Sequence, residues 1–171
     1  MNPANAVGRR QSRTRRARST DVRVTGGAVF LIPVKLRLPL RFGGQIVEEV
    51  TCARVAVEVT TLQGVRAVGW GETPLHVQWG WPSNLPYAVR HDAMVRLAAA
   101  SVEAICVWPE SGHALEIGHA FEADCLEELA RSATGACSEA IPRLAALICL
   151  SPARSRHPRR LRQGARHRHV R

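Results

Sequence analysis

The sequence predicts an α+β fold, a three-stranded antiparallel meander followed by about three helices. Between residues 30 and 71 the apolar positions alternate with polar ones, the period-two pattern of half-buried strands. From residue 89 onward they recur every three or four residues, the pattern of helices that bury one face. The period switches once, across the Pro- and Trp-rich segment Pro74–Leu85, so strands and helices are segregated along the chain. No internal repeat is present.

The first strand is expected after a break at Gly26-Gly27. Phe30, Ile32, Val34, Leu36 and Leu38 form one set, alternating with Leu31, Pro33, Lys35 and Arg37. Pro33 lacks a backbone donor, which favours an edge position or a bulge. Gly43-Gly44 and the polar run to Glu49 read as a mobile loop. The second strand, Cys52 to Thr61, puts Ala53, Val55, Val57 and Val59 on one face and Arg54, Glu58 and Thr60 on the other. A short turn holding Gly64 leads into a third strand, Arg66 to Gly71.

Asn84 and Pro86 are helix-start signals, and Val89, Ala93, Leu97, Ala100 and Ala104 carry the first helix to Cys106, before Trp108-Pro109. A second helix is expected from about Phe121 to Arg131, on Phe121, Cys125 and Leu129. The third is expected from Ser138 as N-cap through Ile141, Leu144, Ala145 and Ile148, with Pro142 in its first turn.

At 171 residues the chain can bury one core with tails to spare. Its net charge of +10 would ordinarily point to a polyanion. The distribution argues otherwise, because residues 1–24 carry +6 and residues 152–171 carry +8, while the body between them carries −4. Lys35 is the single lysine among 24 basic residues, and a GC-rich coding sequence explains that bias more simply than selection for bidentate phosphate contacts.

Residues 1–27 read as a disordered basic extension. Its arginines and serines are like those of some transit peptides, and a start codon assigned too far upstream explains them as well. The five cysteines, at 52, 106, 125, 137 and 149, show no CxxC pair. An odd count without a secretory apolar segment fits buried free thiols in a reducing, cytoplasmic setting. No apolar run is long enough for a membrane span. His76, His113 and His119 have no metal-ligand spacing and read as surface or core histidines.

Several motifs occur in a fixed order: the first strand, Pro39-Leu40-Arg41-Phe42-Gly43-Gly44, the Cys52–Thr61 strand, and Ala67-Val68-Gly69-Trp70-Gly71-Glu72, then helices. Gly112-His113-Ala114-Leu115-Glu116-Ile117-Gly118-His119 follows. Together these resemble the N-terminal capping domain of the enolase superfamily, in its mandelate racemase and muconate lactonizing branch. The resemblance covers about residues 28–152. One departure is the turn Leu62-Gln63-Gly64-Val65, where relatives usually carry Asp-Gly.

The resemblance implies a cap that selects substrate for a separate (β/α) barrel. Enzymes of the family abstract the proton alpha to a carboxylate and stabilise the enediolate on Mg²⁺, as racemases, epimerases, cycloisomerases or dehydratases. The ligand carboxylates and the base belong to barrel strands, and the barrel is absent from this sequence. Mg²⁺ is therefore expected in the parent family only, with no catalytic or metal residue on this chain.

By position the family's two closing loops correspond to Arg41–Glu49 and Thr73–Pro82. The substrate-contact candidates are Arg41, Phe42, Thr73 and Trp79. Phe42 and Trp79 would supply apolar walls and Arg41 would pair with a substrate carboxylate. The plainer reading, with Phe42 in the cap's own core and Arg41 solvated, ranks ahead of it. Glu72 is expected to bond loop backbone at a strand end.

In relatives the last helix leads into an SPFD-like step and then a helix of the form ALHDAYGKxxG. Here Ser151-Pro152 is followed by the arginine-rich residues 153–171. Back-translated with GC-favouring codons and read one base later, residues 154–171 can spell that helix. The Gln163-Gly164 junction can then give only lysine or arginine, where the family has lysine. A frameshift near codon 153 is the expectation. The alternative is a non-catalytic basic protein that binds nucleic acid through its arginine-rich tails.

Overall fold

A computed structural model of the chain describes residues 17–42, 45–135 and 137–154. The basic N-terminal segment before residue 17 and the arginine-rich tail after Arg154 lie outside the described residues. Three strands, β1 (Val22–Phe42), β2 (Gln45–Thr61) and β3 (Arg66–Pro74), form one antiparallel sheet in the order β1-β2-β3. Four helices follow: α1 (Val77–Gly80), α2 (Tyr87–Cys106), α3 (Ala114–Thr134) and α4 (Arg143–Arg154). The predicted α+β arrangement is the observed one, with the short α1 added inside the Pro- and Trp-rich segment.

One face of the sheet carries the helices. Ala53, Val55, Val57 and Val59 of β2 are all buried there, as their alternation requires. Packed on them are Leu75, Trp81, Met94, Leu97, Ile105, Phe121 and Leu150. The β2–β3 turn closes through Gly64 N–H donating to the Thr61 carbonyl at 2.9 Å. Gly64 has φ 81°, a backbone state that glycine adopts without strain.

The sheet differs from the sequence expectation in three ways. Gly26-Gly27 is not a break, since β1 begins at Val22 and runs through it. The glycine at 27 serves close approach, because a Cβ there would lie 3.0 Å from Cys106 Sγ and 3.1 Å from the Ala56 carbonyl oxygen. Secondly, the β1–β2 register slips between Val24 and Gly26. Such a slip moves side chains to the opposite face. Val22 and Val24 therefore point into the core, whereas Phe30, opposite Arg54, falls on the side away from the helices. The face built on Phe30, Ile32 and Val34 is thus not the helix-covered one. Thirdly, Gln45–Glu49 is strand rather than mobile loop. Its β-branched Ile46 and Val47 pair with Arg41 and Leu40, and its charges reach solvent from a two-stranded ribbon.

Helix boundaries moved for local reasons. α3 starts at Ala114, seven residues before its expected start, because His113 caps it. His113 Nδ1 accepts from Leu115 N–H at 3.3 Å, and Glu116 Oε2 accepts from His113 N–H at 3.2 Å, a reciprocal capping box. α4 starts at Arg143 and not at Ser138. Pro142 disfavours helical backbone at Ile141, so the helix begins only after it. Inside α4, Pro152 has no N–H for the Ile148 carbonyl, and Ser151 Oγ donates to that carbonyl instead at 2.9 Å.

Candidate functional site

Two segments come to the same end of the sheet. β1 runs toward its hairpin with β2, and β3 runs in the same direction into Pro74 and α1. Pairing of β2 with β3 stops at Cys52 opposite Pro74. Residues Gln45–Val50 therefore pair with β1 alone, forming an arm of about 20 Å at ~3.3 Å per residue. A second register shift separates Lys35 from Leu40, and Pro39 sits in the bulged stretch, where a missing donor is tolerated.

The arm and the start of the helical layer enclose an open cleft of ≈ 750 Å³. Lys35 and Arg37 line it from β1, Glu48 and Glu49 from β2, Gln78 from α1 and Tyr87 from α2. Lys35 stands opposite Glu49 in the ladder. A recess of ≈ 250 Å³ shares Glu49 and Tyr87 and adds Thr51, His91 and Asp92. Tyr87 and His91, one helical turn apart, stack with centroids 5.7 Å apart and planes at 15°. His91 Nε2 and Thr51 Oγ1 are 2.9 Å apart, which ties α2 to β2. Burial pushes the Tyr87 hydroxyl above its ordinary pKa; Glu49 adds to the effect and Arg90 opposes it. Tyr87 therefore stays a neutral hydrogen-bonding group at physiological pH.

Arg90 fixes the helical wall of the cleft. It is 4 % exposed, and its Nη1 donates to the Trp81 carbonyl at 2.5 Å, clamping the end of α1 to α2. Its Nε is buried without a partner. The cleft thus holds cations, carboxylates and an aromatic ring on three separate elements. That composition can recognise and orient a polar ligand.

Of the four sequence candidates, Arg41, Thr73 and Trp79 are not among the residues that line this cleft. Arg41 is exposed near the tip of the arm, opposite Ile46, which does line the cleft. Phe42 pairs with Gln45, and its side chain lies outside the described part of the structure. Thr73 is half-buried in β3, opposite Ala53 on the helix side. Trp79 is half exposed on α1, next to the lining residue Gln78. Glu72 does not bond loop backbone as expected; its carboxylate accepts from Arg54 Nε at 2.6 Å on the open face of the sheet. Lys35, Glu49, Tyr87 and His91 were missed. The sequence signal for the helical pair was an aromatic residue and a histidine at i and i+4.

Among the described residues no group of three or more His, Cys, Asp or Glu side chains is placed to hold a metal ion. The five cysteines are free, and burial raises the thiol pKa of Cys52, Cys125 and Cys149. No helix of the described residues is long and apolar enough to cross a membrane.

No protein-family model matches the chain, and no curated protein matches it. Among solved structures it is similar to an enolase from Bradyrhizobium crystallised with magnesium and mandelic acid. That likeness has 17 % identity and a TM-score of 0.33, over 61 % of this chain and 24 % of the other. It is also similar to an enolase-superfamily member from Roseovarius nubinhibens, at 18 % identity and a TM-score of 0.30, over 75 % of this chain and 29 % of the other. The chain thus spans about a quarter of each of these proteins' lengths.

Proposed function

We propose that this chain is the substrate-selecting cap of an enolase-superfamily enzyme of the mandelate racemase and muconate lactonizing branch. The observation that carries the reading is the convergence of two segments at one end of the sheet. The segments Arg41–Glu49 and Thr73–Pro82 are the two that the family resemblance assigns to closing over a barrel, and both contribute to the lining of a polar cleft, through Ile46–Glu49 and Gln78. In this role the chain binds and orients: Lys35 and Arg37 attract a carboxylate, while Glu48, Glu49 and Tyr87 discriminate among polar side groups. The parent reaction is Mg²⁺-dependent abstraction of a proton alpha to a carboxylate. On this reading the Mg²⁺ ligands and the base belong to a barrel, and this chain by itself is inactive. Its setting is the cytoplasm, where five free thiols stay reduced.

The same reading takes the arginine-rich end as out-of-frame translation from about codon 153. α4 supports it, because residues up to Ala153 pack into the core. The test is the coding DNA from codon 145 to well past the stop. A one-base shift that opens a continuous frame into a barrel with carboxylate ligands and a lysine base is the expected result. A frame closed in every phase would overturn the truncation. The +8 carried by residues 152–171 would then make polyanion binding, read as steep salt dependence, the function to test.

A further inference from the structure

The side of the sheet away from the helices is uncovered among the described residues and has a definite pattern. Three successive rows cross the strands: Phe30–Arg54–Glu72, Ala28–Ala56–Trp70 and Gly26–Glu58–Val68. At the centre Ala56 is small enough for Phe30 and Trp70 to meet above it, with centroids 6.0 Å apart and planes at 29°. Both rings remain open to solvent, Phe30 at 48 % and Trp70 at 59 % exposure, and Val68 beside them is also exposed. An apolar centre bordered by charges marks a contact surface.

We propose that this face is the interface of a two-fold symmetric homodimer, with its axis along the Ala28–Ala56–Trp70 row. A rotation about that axis lays the Arg54 row of one copy over the Glu58 row of the other. Arg54 then faces Glu58 of the second copy, twice by symmetry, and Phe30 faces the space over Gly26. Trp70 meets Trp70. Sheets stacked face to face lie about 10 Å apart, a gap that an arginine and a glutamate can bridge together. An isologous contact must complement itself: Arg54 against Glu58 does so in charge and Phe30 against Gly26 in size, while Glu72 falls opposite Val68 and keeps its own chain's Arg54 as partner. The acids argue against the alternative occupant, a nucleic-acid strand stacked on the aromatic pair, since Glu58 and Glu72 would stand next to its phosphates. The inference does not depend on the cap reading.

The experiment is sedimentation equilibrium on the full chain and on two variants, Arg54→Glu and Glu58→Arg, each checked for native helix content by circular dichroism. The wild type is expected at twice 18.7 kDa in the micromolar range. Each variant puts two like-charge contacts in the interface, so its dissociation constant rises by roughly tenfold or more. Mixed together, the two variants regain opposite charges at both contacts and form a heterodimer. A misfolded variant could not be rescued by the other in this way. A wild type that stays monomeric at every concentration overturns the proposal, and so does a dimer indifferent to both substitutions. Quenching of Trp70 fluorescence in a monomeric wild type by a single-stranded oligonucleotide would make the face a base-stacking platform instead.

Discussion

The two faces of β2 are made from adjacent residues and have opposite fates. Ala53, Val55, Val57 and Val59 are sealed beneath the helices, while Arg54 and Glu58, set between them, stand in solvent. The difference does not lie in apolar content. The open side presents Val68 together with Phe30 and Trp70, two rings larger than the valines on the other side of the pleat. What separates the faces is covering. Among the described residues helices cover one side of the sheet only, so the fold's stability resides on that side, and the other is the face proposed for association.

The largest test of this division is Phe121→Ala. Phe121 is fully buried and packs edge-on against Trp108, with centroids 5.5 Å apart. Its truncation is expected to cost about 3–5 kcal/mol, read from the urea midpoint. Next is thiol reactivity. Cys149 lies under the covered side, where burial pushes its thiol from 9.0 up to about 12. Cys52 lies on the open side, opposite Ile32 and Pro74, and is raised as well, by burial and then by Glu72. At pH 8 Cys149 should alkylate much more slowly than Cys52 in the native protein, because its thiol is both buried and held further from ionisation. Linkage gives the sign for stability. The folded pKa of Cys149 lies above the unfolded one, so its contribution is complete below pH 9 and is lost as the pH rises toward 12. Cys149→Ala should flatten that alkaline decline in the melting temperature.

Much of the covered side was legible in sequence. The valine alternation of β2 fixed its face directly, and α2 ended at Cys106 as expected because Trp108-Pro109 cannot continue it. The face of β1 was not legible. Its alternation is correct as a period from Phe30 to Val34 and is interrupted beyond Lys35, but the one-residue slip near Thr25 decides which phase points inward, and a register slip is set by the partner strand. The start of α3 was hidden for another reason, since histidine is not among the usual capping residues and His113 acts through Nδ1. The cleft was not legible, because its lining residues Lys35, Glu49 and Tyr87 are neighbours only through strand pairing and helix docking.

A pair of glycines sharpens the comparison at smaller magnitude. At Gly71, on the covered side opposite Val55, a Cβ would lie 2.2 Å from the Pro152 carbonyl oxygen. Neither backbone can yield without lifting α4, so Gly71→Ala is expected to cost about 1–3 kcal/mol or more. At Gly26, on the open side, the nearest atom to a Cβ would be Glu58 Oε2 at 3.4 Å, an ordinary contact. Gly26→Ala should shift the midpoint by no more than ~0.5 kcal/mol. Equal losses at the two positions would mean that the open side is bound into the fold after all.

The smallest expected effect on stability falls on Arg54. Its ion pair with Glu72 is short, but both side chains are over two-fifths exposed, at 48 % and 43 %. Solvent screening and the entropy of holding two long side chains limit such a pair to about 1 kcal/mol or less. Arg54→Ala should therefore leave the urea midpoint of the monomer nearly unchanged. In the proposed dimer the same side chain faces Glu58 across the interface, where the second sheet excludes water and the interaction strengthens. The substitution should then weaken association even where it leaves folding alone. Measuring both quantities on one variant separates the two roles of the sheet. A large loss of monomer stability would place Arg54 within the fold's own structure, whereas a loss confined to association would locate its contribution on the face that the helices leave open.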